Sequence, residues 1–446
     1  MSIIKLVVSD LHLADGTAIL DCFGESQQLA FEGLLSAASV HHGPLSQAES
    51  VELIINGDCF DFLVTMPYIE RRVTDQTIAV QKCEKIIAAH RAFFQALRSF
   101  IEHAGRSITF IAGNHDLELC FAEVRDRICS AIVGTYTDPR IRFCLSRFYR
   151  PFPDVSIEHG HIYDFWNHAG QGIWDETGQP LTADPQIVPL PIGSWYFQVA
   201  TSPISIRYPY YDHFDPPLSN TRQIALLALL DPPLLRETAQ GSMQMLLSPR
   251  STSIALLMEQ YTPAQLFAEA MLDFAAFRDD MQAQKSDWPV SVDDETGSAD
   301  EMMEFVMVHD ALSLPILEAI AAICTPTVYQ MAEDVAQGMH AVLDHEASLR
   351  YAIAGHTHIV RIDPVNQGAQ TYLNTASWTT RFALPAPGEV TPALVDWLRS
   401  PDWDHVPLRD VTQYIFALIT AEVGGSASAS LCVWEGGFHG SYRVLA

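Results

Sequence analysis

The chain has 446 residues, 48% of them apolar, enough for a sizeable core and, at about 150 residues per domain, for more than one compact unit. Its charge is unbalanced, with 26 Lys and Arg against 54 Asp and Glu for a net charge of −28. That balance argues against a general nucleic-acid binder, whose phosphate affinity comes from Lys and Arg, and against electrostatic docking on an anionic membrane; a phosphorylated substrate stays open where metal ions supply local positive charge.

Residues 3–9 form a continuous apolar run with β-branched members, which predicts a buried strand. Residues 26–39 predict a helix and 51–55 a second buried strand. Across 76–104 apolar residues recur at helical spacing (Ile78, Ile86, Ile87, Phe93, Phe94, Leu97, Ile101), and Gly105 follows as a stop. Strands are expected again at 107–111 and 155–158. This strand–helix–strand rhythm predicts an α/β layer architecture.

From 163 to 215 the chain turns to Pro, Gly and aromatics (Trp166, Trp174, Trp195, Tyr196, Tyr208, Tyr210, Tyr211). These rings predict either a small core for an insertion or the lining of an apolar pocket. Residues 220–281 read as mostly helical, and 286–301, with Asp293, Asp294, Glu295, Asp300 and Glu301, as a solvated acidic loop. Helical pattern resumes over 302–349, and strands are expected at 351–354, 370–373, 414–423 and 428–434. The expected organisation is a core begun by 1–162, a mostly helical insertion or lid at 163–310, and completion of the core with C-terminal strands in 311–446.

No apolar run reaches the ~18 residues of a membrane span. The opening run is too short for a signal peptide, and the eight cysteines form no C-x-x-C pair. The expectation is a cytoplasmic protein with reduced thiols.

Five short motifs each stand where a strand gives way to a loop: Asp10-Leu11-His12, Gly57-Asp58-Cys59-Phe60-Asp61, Gly113-Asn114-His115-Asp116, His159-Gly160-His161 and Gly355-His356-Thr357-His358. Their Asp, Asn and His side chains are metal-ligand types, and in α/β sheets ligands gather beyond the carboxyl ends of strands. Strand alternation would aim Asp10 with His12, and His356 with His358, at one place. Gly57, Gly113 and Gly355 would allow close approach beside a crowded centre. Mixed carboxylate and imidazole donors suit Mn, Fe or Zn, and the supply exceeds one tetrahedral ion but suits two ions sharing a carboxylate. Such a pair would clamp phosphate oxygens and supply a hydroxide near neutral pH, leaving His115 to stabilise the developing charge or to protonate the leaving oxygen.

In this order the motifs resemble the calcineurin-like metallophosphoesterase superfamily, whose pattern is D-x-H, G-D, G-N-H-[DE], H, G-H-x-H. The resemblance covers about 1–162 and 345–380. It implies a four-layer α/β/β/α sandwich with two divalent or mixed-valence metal ions (Mn, Fe or Zn). By motif, one ion takes Asp10, His12 and His358, the other takes Asn114, His159 and His356, and Asp58 bridges them. His115 is then the catalytic histidine, oriented by Asp116.

Around this set, Asp61 is placed to orient a ligand. His161, Asp164 and Asn167 are placed to touch substrate or to support a ligand, with turn capping as the plain reading of the last two. Cys59 reads as a small packing residue and Trp378, in Asn374-Thr375-Ala376-Ser377-Trp378, as core.

Motifs fix reaction class better than substrate. The protein Ser/Thr phosphatases of the superfamily carry Arg before G-N-H, where this chain has Ala112. Ser9-Asp10-Leu11-His12-Leu13 and Asn56-Gly57-Asp58-Cys59-Phe60-Asp61-Phe62 are similar to the bacterial UDP-2,3-diacylglucosamine pyrophosphohydrolases, from which the chain departs by His115, often Arg there, and by its longer insertion. The reading is hydrolysis of a small phosphorylated substrate, a phosphodiester or pyrophosphate, by a metal-bridging hydroxide. The alternatives are a phosphomonoesterase on a small metabolite or nucleotide, and a non-catalytic metal-binding interaction scaffold. Retention of every ligand type and of His115 favours an enzyme.

Overall fold

A computed structural model describes residues 2–17, 21–39, 45–67, 73–164, 167, 179–180, 185–191, 193–194, 197–198, 202–218, 223, 226–227, 230–231, 233–234, 324 and 329–445. The acidic stretch 286–301, most of the helical stretches expected over 220–281 and 302–329, and Trp166, Trp174, Trp195 and Tyr196 lie outside the described residues. Strands of three residues or more are β1 Ser2–Val8, β2 Ser50–Asn56, β3 Val73–Asp75, β4 Arg106–Ile111, β5 Ile141–Cys144, β6 Tyr149–Phe152, β7 Val155–Ile157, β8 Ile187–Pro189, β9 Tyr351–Ala354, β10 Val360–Val365, β11 Gln370–Thr375, β12 Tyr414–Glu422, β13 Ser428–Glu435 and β14 Ser441–Val444. The α-helices are α1 Glu25–Ser39, α2 Gln76–Ala89, α3 Arg91–Ile101, α4 Ala122–Val133, α5 Ser202–Arg207, α6 Gln330–His345 and α7 Pro392–Arg399. The chain divides into two units, one of 1–198, 330–382 and 410–446, the other of 199–329 and 383–409.

The first unit is mixed α/β. Its seven-stranded sheet has the order β14-β13-β12-β1-β2-β4-β5, and its five-stranded sheet the order β10-β11-β9-β7-β6. β1, β2, β4 and β5 run parallel, and β12 lies antiparallel on the other edge of β1. Strands covered on both faces read as unbroken apolar runs, which is why Leu6–Val8 and Leu53–Ile55 are all buried. Val7, Ile54, Ile111, Ile415 and Leu431 of the larger sheet share one core with Val155, Ile157, Ile353 and Leu373 of the smaller. Each such side chain contributes roughly 1.5–3 kcal/mol by leaving water. α6 turns Ala332, Val335, Ala336, Met339 and Leu343 inward and packs on β9 and β11.

The single helix expected over 76–104 is two. Asp75 caps α2 by accepting from the Ile78 N–H at 3.0 Å. At His90 the backbone leaves the helical region (φ −107°, ψ 42°), and its Nε2 lies 2.6 Å from Asp21 Oδ2. A side chain that contacts Asp21 across the fold replaces helical continuity there, and α3 restarts with Phe93, Phe94, Leu97, Phe100 and Ile101 buried.

Segment 185–198 belongs to the first unit because β8 pairs with β3, the Gln198 amide donates to the Leu63 carbonyl at 3.1 Å, and Ser194 Oγ donates to the Asn114 carbonyl at 3.4 Å. In the second unit Tyr208, Tyr210 and Tyr211 are buried. The Tyr208 hydroxyl donates to Asp231 at 2.9 Å, and the Tyr210 ring stands 5.3 Å from Trp397 with its hydroxyl donating to the Leu398 carbonyl. These three rings are core, the first of the two expectations for the aromatics of this region. Among the described residues no helix is long and apolar enough to cross a membrane.

Candidate metal centre

The carboxyl ends of β1, β2, β4, β7 and β9 lead directly into the five motifs. Strand alternation does not aim the side chains, as the spacing suggested. β1 stops at Val8 and β9 at Ala354, so the ligand pairs lie beyond the strands. Asp10, His12, Asp58, His356 and His358 instead have positive φ, between 51° and 69°. Left-handed backbone costs a non-glycine residue about 1–2 kcal/mol, so the surroundings must hold each turn in place. The Asp10 N–H donates to the Gly57 carbonyl at 3.1 Å, the His12 N–H to the Asp58 carbonyl at 2.9 Å, and the Trp378 N–H to the Asp10 carbonyl at 3.1 Å. Close approach completes the arrangement. A Cβ at Gly113 would overlap Asp58 Oδ1, and one at Gly57, itself at φ 80°, would overlap His159 Nδ1.

Three groups of donor atoms converge among the described residues, one of them His12, Asp61 and His115. Asp10, His12 and His358 place one atom each within 4.8 Å of one another, and so do Asp58, His159 and His356. His358 Nε2 lies 3.2 Å from both Asp10 Oδ1 and His12 Nε2. Asp58 stands between the groups, its Oδ2 3.1 Å from His159 Nε2 and 3.9 Å from His12 Nε2. The donor set suits divalent cations. His159 gives its Nδ1–H to the Asn56 carbonyl at 2.9 Å, which leaves Nε2 toward Asp58, yet no well-directed hydrogen bond joins those two atoms. Asn114 Oδ1 is buried and accepts no hydrogen bond. Buried polar atoms without partners are costly unless something absent from the polypeptide satisfies them.

His115 and Asp116 depart from the expected pairing. Asp116 does not orient His115. Its Oδ1 accepts from the N–H groups of Gly113 and Asp58 at 2.6 and 3.3 Å, and its Oδ2 from those of Cys59 and Phe60 at 2.9 and 3.3 Å. That carboxylate ties the second motif to the third. His115 Nδ1 faces Asp61 Oδ1 at 3.1 Å instead. The other oxygen of Asp61 accepts from His12 Nδ1 at 3.0 Å, which leaves His12 Nε2 for the Asp10 group. One carboxylate therefore holds His12 and stands beside the candidate catalytic histidine, and the N–H groups of Leu63 and Val64 fix it in turn. The His115 ring packs edge-on against Phe197 at 5.6 Å.

Of the remaining residues, Asp164 Oδ2 lies 3.2 Å from His356 Nε2 and accepts from the Asn167 amide at 2.6 Å. The His161 ring is buried 5.3 Å from that of His159 and 6.2 Å from that of His356. Cys59 is packed in the interior, where burial and then Asp116 push its thiol well above the usual range. Trp378 is fully buried and donates to the Ile415 carbonyl at 2.7 Å.

The electrostatics follow from opposite charges packed out of water. Burial pushes the Asp58 carboxyl up, but His159 and His115 outweigh it and hold it well below the usual range. Burial pulls His159 down, against which Asp58 and Asp10 hold it up at about 10. His115 is likewise held up at about 9, by Asp61 and Asp58 against burial. His358, where burial wins, falls to about 4. The proton held on His159 stands where a cation would relieve the same carboxylates, so metal binding would release it.

Sequence reading did not find Asn56, Ser194 or the role of Asn374, whose amide donates to the Gly355 carbonyl at 2.8 Å and steadies the last motif. Asn56 and Ser194 act through a backbone carbonyl or a residue far along the chain, and neither periodicity nor spacing marks them. No protein-family model and no curated protein matches this chain.

Proposed function

We propose that the chain is a dinuclear-metal phosphoesterase of the calcineurin-like type, with its two face-packed sheets as the inner layers of a four-layer α/β/β/α sandwich. The observation that carries the reading is the convergence of Asp10, His12 and His358 beside Asp58, His159 and His356, with the Asp58 carboxylate between. Asp10, His12 and His358 would hold one ion; Asn114, His159 and His356 would hold the other; Asp58 would serve both. Two divalent ions (Mn, Fe or Zn), when bound, supply Lewis-acid polarisation of a phosphoryl group and activation of water.

The polypeptide does the rest. Asp61 Oδ1 lies 3.1 Å from Nδ1 of His115, so Nε2 would be the nitrogen left to give a proton to the leaving oxygen. Without metal, Asp61 and Asp58 hold His115 up at about 9; with Asp58 serving the ions, Asp61 would remain to favour the protonated imidazole that a general acid needs. His115 converges with His12 and Asp61 but belongs to neither of the two groups assigned to the ions, and in this reading it acts on substrate. Phosphodiester or pyrophosphate substrates are preferred in this reading.

The test is initial rates of the Mn²⁺-loaded protein on a phosphodiester and a phosphomonoester with the same chromogenic leaving group, beside an EDTA-treated control. Chelator-sensitive preference for the diester is expected. Preference for the monoester would make the protein a phosphatase, and metal uptake without turnover of either would make it a binding scaffold.

A further inference from the structure

We infer that Asp164, supported by Asn167 and Ser194, is a positioning residue that sets one of the two metal-binding groups and not the other; this rests on the metal reading above. A polar path runs from ligand to ligand. Ser194 Oγ donates to the backbone carbonyl of Asn114 and is 3.4 Å from Asn167 Oδ1. The Asn167 amide donates to Asp164 Oδ2 at 2.6 Å, and that oxygen faces His356 Nε2 at 3.2 Å. Asn114 and His356 are both assigned to the same ion. The His356 ring and the Asp164 carboxylate are each buried, so the contact is shielded from water.

The chemistry of the contact is one-directional. A carboxylate accepts, so Nε2–H of His356 donates and Nδ1 carries the lone pair. The converging ligand atoms include His356 and not Asp164, which places Asp164 behind the ligand. His358, two residues on, is turned instead by Asp10. Asp164 therefore acts on the Asp58, His159 and His356 group through His356. The residues that supply it, 164, 167 and 194, stand after the fourth motif, and their spacing carries no metal signature.

The experiment is Mn²⁺ titration of the metal-free full chain, read by calorimetry and by electron paramagnetic resonance, for wild type, Asp164→Asn and Asn167→Ala. Wild type is expected to take up two ions and show the exchange-coupled signal of a Mn pair. Asp164→Asn should keep one ion at wild-type affinity and bind the other about 10–100-fold more weakly, so the coupled signal gives way to that of isolated Mn²⁺. Asn167→Ala should weaken the same ion by less, and the melting temperature of each metal-free variant should match wild type. Two ions at wild-type affinity in Asp164→Asn, or equal loss of both, would overturn the positioning role. Failure of wild type to bind any metal would overturn the proposed function instead.

Discussion

Asp58 and Asp61 stand three residues apart and divide the work of the site. Asp58 lies between two groups of donors; Asp61 holds a histidine of one group with one oxygen and His115 with the other. Asp58→Asn should reduce turnover by orders of magnitude, and unchanged turnover would remove its shared role. His115→Ala should lower kcat about 10²–10⁴-fold while metal content and the melting temperature of the metal-free protein stay at wild-type values. Asp116→Ala should behave in the opposite way. It deprives four buried N–H groups of their acceptor, at about 1–3 kcal/mol each, so stability falls before chemistry is reached. Thermal melts of the two metal-free variants separate these roles; a stable Asp116→Ala protein with only kcat lost would restore Asp116 as the partner of His115.

At the scale of elements, the strands that carry the motifs were legible because parallel strands covered on both faces leave unbroken apolar runs. Their use was not. The spacing of Asp10 with His12 and of His356 with His358 suggested alternation, whereas left-handed turns beyond the strand ends aim these residues. Side-chain chemistry restricts which residues can serve, but the turn of Asp10 and His12 is held by the carbonyls of Gly57 and Asp58, which accept from their N–H groups, and by the Trp378 N–H, which donates to the Asp10 carbonyl, all distant in sequence. The break at His90 was hidden for a similar reason, since its partner Asp21 lies 69 residues away.

Helix α2 carries a further consequence. Lys82 on α2 is fully buried, donates to the Phe62 carbonyl at 2.7 Å, and is brought down to about 8 by burial, against Glu118 and Asp61. The unfolded chain keeps that proton up to its ordinary value of 10.5, so between about 8 and 10.5 the unfolded state binds more protons and stability rises with pH. Below about pH 8 the buried ammonium costs about 3 kcal/mol relative to the neutral amine. Denaturant melts across this range should show wild type gaining stability relative to Lys82→Met as pH rises, since the other titrating groups act on both alike; the same slope in both would contradict the assignment.

For the whole molecule, a net charge of −28 is compatible with an anionic substrate only where cations gather locally, and the described residues concentrate donor atoms at the ends of five strands of the first unit. The α/β class could be read from the strand–helix rhythm, and a gathering of ligand types from motifs that each followed an apolar run; which residues pair, Asp10 with His358 and Asp58 with His159, was implied by the resemblance alone. The division into units could not, because it depends on long-range pairings such as β3 with β8 and on the inclusion of 383–409 with the second unit. If the native state alone holds the ions, Mn²⁺ at a hundredfold excess over Kd should add about 2.7 kcal/mol per site and raise the melting temperature, with EDTA reversing it. The most direct measurement is the rate of phosphodiester hydrolysis as Mn²⁺ is added stepwise to the metal-free protein. The proposed dinuclear centre predicts a rate that climbs until two equivalents per chain are bound and falls to background with EDTA. Full activity at one equivalent, or none after two have bound, would contradict it.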